Sequence, residues 1–218
     1  MSFVPIAGLE ELLRNYRRMS VTPLKGEELI LKGFYDFSGT APGYPTINDS
    51  YQLEIRIPKA FPKTPPSVYE TEGKIPQDGK HHVNSDGTLC LASPLRLRWK
   101  LAKAPTLIGF AQECLTPYLY GLSHKFEYGT FPFGELAHGK AGVIADYLCL
   151  FSLKTERQVE NTLKFISLKK RIANKKPCPC GCGKRLGICP LHFKINTFRK
   201  IASRSWFGKH LKTMGTEK

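Results

Sequence analysis

The clearest pattern along the chain is the run Tyr51-Gln-Leu-Glu-Ile-Arg-Ile57, in which Tyr51, Leu53, Ile55 and Ile57 alternate with Gln52, Glu54 and Arg56. Alternation with period two predicts a half-buried β-strand. Residues 28–38 are also β-prone, and the Gly, Pro, Asn and Asp between Gly39 and Ser50 predict an antiparallel pair joined by a loop. Ahead of them, Leu9, Leu12, Leu13 and Tyr16 fall at helical spacing, with acidic residues early and arginines late, which predicts a short amphipathic helix.

Phe61-Pro-Lys-Thr-Pro-Pro66 must be a stiff, nonhelical corner, because each proline fixes its own φ and restricts the residue before it. A short strand is expected at 68–71, then an irregular stretch to Gly87. The positions of Leu107, Phe110, Ala111, Cys114, Leu115 and Tyr118 predict a helix that Pro117 ends or kinks. Cys114 falls on its apolar face. Residues 121–139 lack clear periodicity and read as a packed loop, with His124 and His138 as ordinary hydrogen-bonded or exposed side chains. Two more helices are expected, over 140–152 and 156–173, the second opened by a Thr155/Gln158 capping box.

The 218 residues are 41% apolar, enough for one core of ordinary size plus an appendage. No apolar run reaches the roughly 18 residues that would cross a bilayer, and no signal-peptide pattern opens the chain, so a cytoplasmic protein without a membrane span is expected. The net charge of +15 is uneven: residues 1–159 carry 18 Lys+Arg against 16 Asp+Glu, and residues 160–218 carry 15 against 2. The excess lies in the tail, which suggests a polyanion or an acidic protein face as partner. Two domains are expected, 1–158 and a basic module at 159–218.

Chemistry concentrates in two places. His81-His-Val-Asn-Ser-Asp-Gly-Thr-Leu-Cys-Leu91 is a polar turn that delivers Cys90 with Asn84 and Asp86 nearby. A thiol in such a place is either a packing residue or a nucleophile. The second is Cys178-Pro-Cys-Gly-Cys182 followed by Cys189 and His192, where clustered thiolates and an imidazole on a chain bent by prolines and glycines suit a tetrahedral, structural zinc site. Cys178, Cys180 and Cys189 are the expected ligands, with His192 as the fourth and Cys182 as its competitor. The spacing resembles SEC-C, the zinc motif at the C-terminus of the bacterial secretion ATPase. Phe193, Phe198, Trp206 and Phe207 lie among the surrounding basic residues, as docking surface, packed mini-core or nucleic-acid grip.

The order of helix, antiparallel strands, Phe-Pro-x-x-Pro-Pro corner, Gly87-x-x-Cys90-Leu91, tryptophan and helix resembles the ubiquitin-conjugating enzyme family over residues 5–120. The resemblance implies an α+β, UBC-like fold, with N-terminal helix, antiparallel β-meander and flanking helices, here followed by a zinc-stapled basic tail. It also implies acyl transfer through a Cys90 thioester. The family's His-Pro-Asn tripeptide is absent: Lys80, His81 and His82 occupy its positions, and Asn84 lies two residues late. Histidine at the asparagine's place resembles bacterial members of antiviral cyclic-nucleotide (CBASS-type) operons. The implied partners are a cGAS-like nucleotidyltransferase or a ubiquitin-like protein with a C-terminal glycine, and a lysine-bearing acceptor. His82 would donate to the oxyanion or take the amine's proton, and Asp86 would orient the lysine. No phosphate-cradling glycine loop is present, so activation of the glycine falls to another protein or the substrate arrives already activated. A noncatalytic scaffold with a nucleic-acid-binding tail is the alternative.

Overall fold

A computed structural model describes residues 6–22, 28–132, 134, 137 and 139–216. The chain divides into two compact units, 1–135 and 136–218. The division falls before residues 140–158, which the sequence places in the first domain but which belong to the second unit.

The first unit is built on a four-stranded antiparallel sheet in the order β1-β2-β3-β4 (Met19–Val21, Leu29–Gly39, Ile47–Ile57, Ser67–Glu70). The alternating run falls in β3 as expected: Tyr51, Leu53, Ile55 and Ile57 are fully buried, and Tyr51 pairs across from Tyr35. Glu54, on the opposite face, is also buried, held between Lys32 and Arg56. The first helix, α1 (Leu9–Asn15), keeps Arg14 in its last turn and ends before Arg17 and Arg18, because the chain turns at 16–18 to enter β1. That crossing requires Gly33. Its φ is +138°, and a Cβ there would meet the Arg18 carbonyl oxygen at 2.0 Å.

Helix α2 (Pro94–Lys103) begins directly after the Cys90 segment, with the Ser93 side chain capping it and Pro94 in its first turn. Trp99 therefore lies within a helix rather than ahead of one. Next, α3 (Leu107–Phe110), a π-helical turn (Ala111–Leu115) and α4 (Thr116–Tyr128) follow without interruption. Pro117 does not stop the helix: the π-turn precedes it, and the Glu113 carbonyl, four residues back, takes the Lys100 ammonium at 2.7 Å instead of the N–H that proline lacks. Cys114 is buried in the core, as its apolar face implies. Residues 121–128 are thus helix and not loop, and α4 crosses β2 and β3. His124 is a buried α4 residue bonded through Nδ1 to the Thr130 carbonyl at 2.7 Å. His138 lies outside the described residues.

The second unit is helical: α5 (Gly139–Phe151), α6 (Glu156–Ser167), α7 (Lys170–Ala173), α8 (Leu191–Ile201) and α9 (Arg204–Thr216). Val159, Leu163 and Ile166 on α6 form a buried stripe, and Tyr147, Phe198 and Phe207 are buried within the same unit. The capping box is present, with the Thr155 hydroxyl accepting from the Gln158 N–H and the Gln158 side chain reaching back. The expected helix 156–173 breaks at Leu168, whose backbone is extended while the Ser167 hydroxyl donates to the Lys164 carbonyl. No helix among the described residues is long and apolar enough to cross a membrane.

Candidate functional site

Cys90 stands at the end of a tight hairpin. Val83 and Leu89 face each other across it, the Asn84 N–H donates to the Thr88 carbonyl at 2.8 Å, and Gly87, at φ +80°, supplies the left-handed residue that closes the turn. The polar side chains of this turn are used inside it. Asp86 Oδ1 accepts from the Thr88 N–H (3.0 Å) and hydroxyl (2.6 Å), which holds its carboxyl below the usual range, and Asn84 Nδ2 donates to Thr88 Oγ1 at 2.9 Å. Both side chains fix the hairpin's shape and are exposed at its tip.

Behind the hairpin, residues 79–81 make one 3-10 turn capped by Asp78, which accepts the His81 N–H and contacts His81 Nδ1 at 2.7 Å. His82 then adopts a left-handed conformation (φ 54°, ψ 45°), uncommon for a residue with a side chain. Three successive carbonyls emerge from this turn, and each has a donor. Lys125 Nζ meets that of Lys80 at 2.6 Å, the Tyr118 hydroxyl that of His81 at 2.8 Å, and the Cys90 N–H that of His82 at 2.7 Å.

Tyr118 and Lys125 lie seven residues apart on α4 and so project from one side of it. They hold the turn that holds Cys90. Tyr118 reads in the sequence as one more apolar position of the expected helix and Lys125 falls in the stretch read as loop, because Pro117 and the aperiodic residues after it hide the helix that aligns them. The i,i+7 spacing of a hydroxyl and an ammonium is the signal that was there to find.

Cys90 is half-buried, and burial pushes its thiol pKa up, so at neutral pH it is held as the thiol. Tyr118 is likewise pushed up, first by burial and then by the charge a Cys90 thiolate would carry. The His82 ring lies edge-on to Phe131, with centroids 5.3 Å apart, and Lys125 Nζ sits over the same Phe131 ring, 4.5 Å from its centroid. Thus the structure brings His82 to Cys90 through its backbone, while Asn84 and Asp86 converge on Thr88.

The cysteine cluster has a separate geometry. The Sγ atoms of Cys178, Cys180, Cys182 and Cys189 all lie within 4.8 Å of one another, with 3.2 Å between Cys178 and Cys180 and 3.6 Å between Cys180 and Cys189. Four sulfurs at the Zn–S bond length of about 2.3 Å in a tetrahedron are about 3.8 Å apart, so the set fits a metal of zinc's size and preferred ligands. The residues form a knuckle in which Pro177 and Arg185 pair as adjacent extended segments, and Gln158 Nε2 donates to the Cys180 carbonyl at 3.0 Å. Burial raises the Cys178 and Cys180 thiols, whereas the Lys184 N–H and the Cys180 thiol hold exposed Cys182 down to about 7.

His192 is not part of this group. Its Nε2 instead accepts from Asn196 Nδ2 (2.9 Å) and Asn174 Nδ2 (3.3 Å). Of the two residues expected in the fourth place, Cys182 and not His192 is therefore the one grouped with the other three thiols. The reason is local: α8 starts at Leu191, so His192 is already committed to the helix and turns toward Asn196 one turn on.

No protein-family model matches the chain, and it has no match among curated proteins. It is similar to the solved structure of the yeast Vps23 UEV domain in complex with a Vps27 PSDP peptide, at 21% identity over 50% of this chain and 74% of that chain, with a TM-score of 0.34.

Proposed function

We propose that the protein is a ubiquitin-conjugating-like acyl carrier of UBC-like fold, with Cys90 as its nucleophile. The observation that carries this reading is the placement of one half-buried thiol on a rigid hairpin, anchored by its own N–H to His82. The helix–meander–cysteine–helix order of the first unit supports it, being the order the family resemblance implies.

In the first step the Cys90 thiol gives up its proton and attacks the activated carbonyl of a partner's C-terminal glycine. The C–S bond forms as the bond to the activating group breaks, and that group leaves with the electron pair. In the second step an amine attacks the same carbonyl, the C–N bond forms, the C–S bond breaks, and the amine's proton is lost as Cys90 becomes a thiol again. His82, next to the Cys90 backbone, is the group proposed to donate to the oxyanion or to take that proton. A cGAS-like nucleotidyltransferase of an antiviral operon, or a ubiquitin-like modifier, is the proposed carrier.

Cys178, Cys180, Cys182 and Cys189 are proposed to hold zinc. With four protein thiolates no coordination position is left for substrate, so the metal would brace the tail rather than act on a carbonyl.

The raised thiol pKa favours one rival, a noncatalytic binding module. The two are separated by mass: coexpression with the neighbouring genes, purification without reductant, and intact-mass measurement. An adduct released by added thiol supports acyl transfer, and the unmodified mass under the same conditions supports the module.

A further inference from the structure

Between Asn161 and Thr216 the chain carries 14 Lys and Arg and no Asp or Glu. Folding concentrates part of that charge. The Cys178 N–H donates to the Lys184 carbonyl at 2.8 Å and the Leu186 N–H to the Lys176 carbonyl at 2.9 Å, so 175–176 and 184–185 run side by side. Arg171, Lys175 and Lys176, with Ile172, line a surface pocket of about 360 Å³. All of Arg171, Lys175, Lys176, Lys184 and Arg185 are exposed, and none is ion-paired among the described residues. Zinc on four thiolates would be a doubly negative centre, which these five cations more than offset.

An aromatic face lies beside the same patch. Asn174, the neighbour of Lys175, bonds to His192, and the ring of Phe193 tilts against His192 at a centroid distance of 5.7 Å. Phe193 is 76% exposed. It projects from a helix whose apolar residues, Leu191, Ile195 and Phe198, are already buried, so it serves no core and α8 has no second apolar face to lay into a bilayer.

We propose that this surface binds single-stranded nucleic acid, the five cations meeting phosphates and Phe193 stacking on a base. An acidic protein face would answer the charge of this surface but not the exposed Phe193 ring. A phosphodiester strand presents evenly spaced negative charge and flat bases, matching both halves of the patch. The inference does not depend on Cys90.

The test is fluorescence anisotropy of a labelled polydeoxythymidine oligonucleotide with the full chain. Binding is expected to weaken with salt at a log–log slope of about −2 or steeper, as for three or more phosphate contacts. Replacing Lys175, Lys176 and Arg185 together by Gln flattens that slope and weakens binding at least about tenfold. Phe193→Ala, at a surface position that threatens no core, weakens binding about tenfold at constant slope. Cys90→Ala binds like the parent. The proposal is overturned if the parent does not bind, if Phe193→Ala binds unchanged, or if polyglutamate or phosphatidylserine vesicles compete as well as the oligonucleotide at equal charge.

Discussion

The backbone N–H of Cys90 donates to the carbonyl of His82 at 2.7 Å, so the proposed nucleophile and the proposed helper are tied through the main chain before any substrate arrives. The register of a hairpin on one side and a left-handed turn on the other fixes that distance. Around it, α4 supplies the donors that hold the turn in place.

Tyr118→Phe removes only the hydroxyl that the His81 carbonyl accepts. The loss of one such hydrogen bond is expected to lower the unfolding free energy, measured by denaturant titration, by about 1 kcal/mol. A purely structural role ends there. If the turn positions Cys90, the variant also forms thioester more slowly while Tyr118→Leu is slower still, measured by single-turnover loading.

Cys90 should titrate late. Because burial raises its pKa, the thiolate fraction is small at neutral pH and keeps growing through the ordinary thiol value of 9.0. Alkylation of Cys90 by iodoacetamide, followed by peptide mapping, is therefore expected to be slower than for exposed Cys149 at pH 7.5 and to rise without a plateau past pH 9. A plateau near pH 7 would mean a stabilised thiolate that the structure does not provide.

Metal binding distinguishes the two possible ligand sets. Cys182→Ser is expected to lower zinc content or affinity by at least about tenfold, because it leaves three thiolates, whereas His192→Ala leaves zinc unchanged. Measurement by a chelator competition in reduced protein gives the order directly, and the reverse order would return His192 to the site.

Thr155→Ala should destabilise the second unit by about 1 kcal/mol through loss of the α6 cap. Its Gln158 partner has a second duty on the Cys180 carbonyl, so Gln158→Ala is expected to reduce zinc affinity as well, and Thr155→Ala to do so less.

Where the sequence speaks through periodicity it is legible: the β3 alternation, the β2–β3 pair and the α6 capping box all stand as read. It fails where long-range contacts overrule local signals. Pro117 looks like a helix end until Lys100, from another helix, fills the place of its missing N–H. Strand β1 is three residues long and exists through pairing with β2 around Gly33. At the cysteine cluster the residue types were legible and the choice between Cys182 and His192 was not, since that depends on where α8 begins. At Cys90 the hairpin was visible in Asp86-Gly87, but Tyr118 and Lys125 come from a helix more than twenty-five residues away in sequence.

The central claim is that Cys90 carries an acyl group. Its most direct measurement is intact mass of the chain coexpressed with its neighbouring genes and purified at low pH without reductant, for the parent, Cys90→Ala and Cys90→Ser. The account predicts a partner-sized adduct on the parent that added thiol removes, the same adduct on Cys90→Ser resistant to thiol, and none on Cys90→Ala. A thiol-labile adduct that persists in Cys90→Ala would contradict it.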